Sequence, residues 1–166
     1  IYAENDDCDC IEYAVDMSNL AMVFDRLQLY PQAEKYYKQA AELKKRCGGE
    51  SLSYADTLNN LAIVYNQTNR QTEALRLHRK VLEIREAKLG REHADFLHSL
   101  YHIGNTYELL GEYDKAIEYH AMALRNNTFS TLELADVHGA LARAYEAKGN
   151  YKKAIYYYEI CLDLIE

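Results

Sequence analysis

The chain lacks tryptophan, has one proline (Pro31) and only seven glycines in 166 residues, and contains no long uninterrupted apolar stretch. Each scarcity removes a class of structure. Few helix breakers in a sequence rich in Ala, Leu, Glu, Lys and Tyr favour helices with short connections over a sheet, so no strands are expected. No apolar run approaches the length that spans a bilayer, and no charged-then-apolar leader opens the sequence. Long basic runs are also missing. With a formal net charge of −7 and no run of Lys/Arg long enough to make a basic stripe, the chain offers phosphate backbones no general attraction, which argues against nucleic acid as a partner.

The four cysteines, Cys8, Cys10, Cys47 and Cys161, are spread along a helical sequence that does not require stapling, and a reducing, cytoplasmic setting is the simplest expectation. Cys8-Asp9-Cys10 is half of a soft-metal pattern. Without a second pair it does not complete a zinc ligand set. No Gly-rich phosphate loop, no His-Glu-x-x-His and no serine elbow occurs, so no catalytic residue and no cofactor is expected.

What is present is a ruler. Small residues stand at Ala21, Ala62, Gly104 and Ala142, and twelve residues after each come Ala33, Ala74, Ala116 and Ala154. Seven further on stand Ala40, Val81, Ala123 and Cys161, while Leu20, Leu61, Ile103 and Leu141 precede the first set and Phe24, Tyr65, Tyr107 and Tyr145 follow it by three. Within each half the apolar positions recur at three, four and seven, the period of a helix face. Between the halves lie turn residues: Gln28–Pro31, Asn69–Gln71, Gly111–Tyr113 and Gly149–Tyr151. Small residues at the crossing let two antiparallel helices approach, and the nearby aromatic fills the wedge beside it.

The spacing predicts eight helices over about 12–28, 31–47, 53–68, 71–88, 93–110, 113–126, 131–148 and 151–166, with Ser130 and Glu133 forming a capping box. They pair into an all-α solenoid of four helix–turn–helix repeats, near 13–52, 53–92, 93–130 and 131–166. Residues 1–12 form an acidic leading segment that corresponds in register to the end of a preceding repeat.

This pattern resembles the tetratricopeptide repeat from about Tyr13 to Glu166. Asp56-Thr57-Leu58-Asn59-Asn60-Leu61-Ala62, Ala74-Leu75-Arg76-Leu77-His78 and Leu89-Gly90-Arg91-Glu92-His93 are similar to the longer variant seen in kinesin light chains. The large aromatic expected in the second helix is Tyr37 and Tyr158 but His78 and His120 in the middle repeats, where both are read as packed residues.

The resemblance implies that the first helix of each repeat lines a ligand-binding concave face. The matching positions are Ser18, Asn19, Met22 and Asp25; Asn59, Asn60, Ile63 and Asn66; His98, Tyr101, His102, Asn105 and Glu108; and Asp136, Gly139, Arg143 and Glu146. The peptide-binding set drawn from these is Asn19, Asn59, Asn60, Asn66, Tyr101, His102, Asn105 and Arg143. Asn carries both a donor and an acceptor and can grip an extended backbone whatever its sequence; Tyr101 and His102 add stacking, and Arg143 a carboxylate contact. The same Asn side chains could instead simply solvate a helix face. His98 and His102 have metal-ligand spacing, but a pair is not a site, and no metal is expected.

The expected function is a protein–protein interaction module that takes an extended peptide or partner protein. Two other functions fit the pattern: a peptide-sensing regulatory arm of a larger effector, and an architectural module acting through its end faces. The run Tyr156-Tyr157-Tyr158 with Ile160, Leu162, Leu164 and Ile165 leaves the last helix apolar, which implies further repeats or self-association through that helix.

Overall fold

The computed structural model describes residues 3–125 and 129–165, with side chains from Cys10 onward. All of its secondary structure is helical: α1 (Ala3–Arg26), α2 (Tyr30–Gly48), α3 (Leu52–Gln67), α4 (Gln71–Leu89), α5 (Ala94–Leu109), α6 (Tyr113–Ala123), α7 (Thr131–Ala147) and α8 (Tyr151–Ile165). The predicted helices are all found, six of them within two residues at each described end. The exceptions are α1, which begins at Ala3, and α6, which ends at Ala123 with Leu124 as its cap, short of the expected 126.

The chain forms two compact units, residues 1–88 and 89–166. In the first, α1 packs on α2, and α2 on α3. Its core joins Ala21, Ala33 and Tyr37 to Leu61, Ala62, Val64, Tyr65 and Ala74, and a second cluster joins Ala41 to Tyr54, Ala55, Leu58, Val81 and Ile84. In the second unit, neighbours in sequence again pack together: α5 on α6, α6 on α7 and α7 on α8. The ruler positions are the crossing points, for Ala21, Ala62, Ala142, Ala33, Ala74 and Ala116 are all fully buried. In three of the four hairpins the aromatic beside the crossing stacks on the partner helix: Phe24 on Tyr36 at 5.5 Å, Tyr107 on Tyr119 at 5.4 Å and Tyr145 on Tyr157 at 5.6 Å between ring centroids.

Each hairpin turns through one residue in the left-handed region, at Gln28, Asn69, Gly111 and Gly149. The following N–H reaches back to the carbonyl five residues earlier, as in Leu29 to Phe24 and Asn150 to Tyr145, both at 2.9 Å. This closes the orphan carbonyls of the helix end. At the start of α7, Ser130 and Glu133 form the expected capping box.

One expectation fails. Cys10 and Cys47 are joined in a disulfide that ties α1 to the end of α2. Spacing cannot show such a pairing, because the two positions meet only once the hairpin has closed. The bond removes Cys10 from any soft-metal set, while the Cys8 side chain lies outside the described residues. It also withdraws the thiol-based ground for a cytoplasmic setting, since lasting disulfides belong to oxidising compartments. No helix among the described residues is long and apolar enough to cross a membrane.

Candidate functional site

The first helix of each repeat carries the candidate ligand positions, and the two units furnish them differently. In the first unit, Asn19 is exposed on α1, whereas Asn59 on α3 is buried, its Oδ1 without a hydrogen-bond partner. Asn60 hydrogen-bonds the Tyr37 hydroxyl, so part of its capacity serves the core. Burial, with the Asp25 charge adding to it, pushes that hydroxyl up to about 12, against the smaller opposing effects of Arg26 and Asn60. Burial likewise raises the Asp25 carboxyl. Asn66 is half-buried.

Ser18 turns away from a ligand. Its hydroxyl donates to the Ala14 carbonyl at 2.9 Å and lies 3.3 Å from Thr57 Oγ1. Thr57 in turn receives Lys44 Nζ at 2.8 Å and donates to the Ser53 carbonyl at 3.0 Å. Lys44 is buried, and desolvation holds its ammonium below the ordinary lysine value, with Asp56 opposing that effect. Sequence reasoning missed this network because Lys44 looks like one more solvated helix charge.

In the second unit, α5 and α7 bring Asn105 and Arg143 to one open cleft of about 460 Å³, lined also by Glu108, Leu109, Tyr113 and Ala147. Arg143 Nε donates to Glu108 Oε1 at 3.0 Å, which fixes the guanidinium while more than half of the side chain stays exposed. Burial pushes the Glu108 carboxyl up, but hydrogen bonding to His120 and Arg143 and their charges outweigh it and leave it below its ordinary value. Tyr101 packs against His102 and His120, with ring centroids 5.7 and 5.6 Å away. Glu146 accepts the Tyr158 hydroxyl at 3.0 Å. Two of the acidic first-helix positions, Glu108 and Glu146, are therefore engaged by the chain itself. The Glu108–Arg143 pair was accessible to register: the two positions sit on successive first helices, three residues apart in the repeat frame.

His78 and His120 are fully buried, in line with the packed role expected of them. His98 directs Nε2 at Glu133, 3.0 Å away, and meets the edge of Phe129. Among the described residues no group of three or more His, Cys, Asp or Glu is placed to hold a metal ion.

Comparison with known proteins agrees with this geometry. The tetratricopeptide repeat family matches at residues 12–87, 72–128 and 95–166. BtubC (BKLC) from P. vanneervenii superimposes with a TM-score of 0.83 at 23% identity, over 91% of this chain and 62% of that one. A Podosopora anserina protein described as a kinesin light chain with nearly identical TPR-like repeats gives 0.80 at 21% identity, over 93% and 75%. MamA gives 0.68 at 17% identity, over 91% and 77%. No curated protein matches. The chain thus spans about 62% of the length of BtubC, and at these identities the structural likeness speaks for the fold. Four helical hairpins on one ruler, matched by the family from residue 12 to 166, make this chain a member of the tetratricopeptide repeat family, an all-α scaffold of the kind that generally serves protein–protein interaction.

Proposed function

We propose that the first-helix faces bind an extended segment of a partner protein, with Asn19, Asn59, Asn60 and Asn66 serving in the first unit and Tyr101, His102, Asn105 and Arg143 in the second. The observation that carries this reading is the Asn105–Arg143 cleft. Among the described residues Arg143 is held through Nε, by Glu108, and its two terminal nitrogens are available for a bidentate contact with a carboxylate or a peptide carbonyl. Asn105 beside it supplies an amide, and Leu109, Tyr113 and Ala147 give the cleft apolar wall. An exposed amide at Asn19 suits the same task on the first unit. Asn59 and Asn60 are the weaker members, because one is buried and the other supports Tyr37.

The test is selection of peptides from a random displayed library against the 166-residue chain, followed by titration of the recovered peptide against Asn105→Ala and Arg143→Ala. Each substitution should weaken binding about tenfold, equivalent to ~1.4 kcal/mol, while leaving the thermal midpoint near that of the parent. Recovered peptides that bind both variants at parental strength would place the site elsewhere.

A further inference from the structure

The repeat register permits a comparison of the chain with itself. Leu61 and Val64 on α3 are 4% and 0% exposed, buried in the cluster that includes Ala33 and Tyr37 of the hairpin before them. Their counterparts on α1, 41 residues earlier, are Leu20 and Val23, which are 41% and 50% exposed. Tyr54, packed beside Ala41, has its counterpart in the exposed Tyr13. Tyr13, Leu20 and Val23 recur at seven and three, so they form one stripe along α1.

The opposite face of the same joint lies on the last helix. Tyr37 and Ala41 of α2 are 1% and 6% exposed because α3 and α4 cover them. Their counterparts, 121 residues later, are Tyr158 and Leu162 of α8, which are 38% and 64% exposed. The frame that presents them is the same. The Phe24–Tyr36 stack inside the first hairpin recurs as Tyr145–Tyr157 inside the last, with nearly equal centroid distances.

We propose that two copies of this 166-residue chain join head to tail, the α1 stripe of one copy seating on Tyr158 and Leu162 of the other. The occupant follows from the register: each face is one half of the joint that already holds the first and second repeats together, and both halves occur in one sequence. Apolar side chains on both sides supply the driving force, and the packing template is the one that buries Leu61 and Val64. The contact is heterologous, so each added copy presents a fresh face and the assembly can grow beyond a dimer. It does not depend on the ligand cleft and would stand if no peptide bound there.

Sedimentation equilibrium of the 166-residue chain with its disulfide intact tests this, using Val23→Lys and Leu162→Lys. Both side chains are at least half exposed, so the fold should tolerate the lysines, which circular dichroism melts verify. The parent's mass should rise with concentration past that of a dimer, while each variant alone stays monomeric. Mixed together, the two variants should form a dimer and nothing larger, because one retains a sound α8 face and the other a sound α1 stripe. A parent chain that is monomeric at every concentration overturns the proposal, whatever other partner then covers these faces. So does a Val23→Lys variant that dimerises by itself, since that would mean α8 pairs with α8.

Discussion

The two units close their hairpins on the same backbone with different residues. The first uses Gln28 and Asn69, at φ 58° and 59°, and the second uses Gly111 and Gly149, at φ 74° and 73°. The hydrogen bonds that follow are the same in all four. Helix packing therefore sets the turn conformation, and the residue there decides only what it costs. A left-handed residue with a side chain costs roughly 1–2 kcal/mol, less for Asn, whose side chain bonds locally, and little for Gly. The first unit carries this strain and also a disulfide and a buried Lys44–Thr57–Ser18 network; the second shows none of the three among its described residues. Two units built on one repeat thus differ in their fastenings: a covalent bond and a buried lysine network in the first, and glycine turns with a Glu108–His120–Arg143 cluster in the second.

The largest break in that comparison should come from reducing Cys10–Cys47. The bond closes a loop with a sequence separation of 37, and cross-links of this span contribute about 4 kcal/mol by restricting the unfolded chain. Hydrogen exchange with and without a reductant should show protection falling in α1 and α2 while α5 to α8 keep theirs. Equal loss in both units would mean that the bond does not act on the first unit alone.

The second unit has its own sensitive point at Gly104. A Cβ there would stand 2.5 Å from the His120 ring, which is fully buried. At the same register the first unit has Ala62 opposite His78, so one repeat accommodates the methyl group that the other excludes. Gly104→Ala gains about 1 kcal/mol of helix propensity but should still lose about 2 kcal/mol net through overpacking. Urea unfolding of Gly104→Ala, with and without His120→Ala, checks the cause. The second substitution should remove most of the penalty, and independent losses would show that the ring is not the obstacle.

Much of this architecture was legible because it rests on periodic small residues. Ala21, Ala62, Gly104 and Ala142 mark the helix crossings, and no other residue size would let the pairs close. The turn residues were legible for the same reason, as was Ser130 with Glu133. What could not be read is whatever depends on two distant side chains meeting: Cys10 with Cys47, Lys44 with Thr57, Asn60 with Tyr37. Pattern gives the face a residue occupies but not its rotamer or its neighbour across the joint. That is why Ser18 and Asn60, placed among ligand positions by family register, are drawn partly into the packing, while Asn105 and Arg143 meet at an open cleft.

The smallest effect is the most direct test of the turn comparison. If packing imposes the left-handed turn and the residue merely bears it, Gln28→Gly should stabilise the first unit by about 1 kcal/mol, the strain released less the extra entropy glycine gives the unfolded chain. Asn69→Gly should gain only a few tenths, because Asn tolerates this region far better. Gly149→Ala, with open space around its Cβ, isolates the backbone term and should cost about 1 kcal/mol. Thermal melts of the three variants would then rank Gln28→Gly above Asn69→Gly above Gly149→Ala. A Gln28→Gly variant less stable than the parent would mean that the Gln28 side chain makes a contribution larger than its backbone strain, and the two units would then differ in kind at the turn rather than in cost.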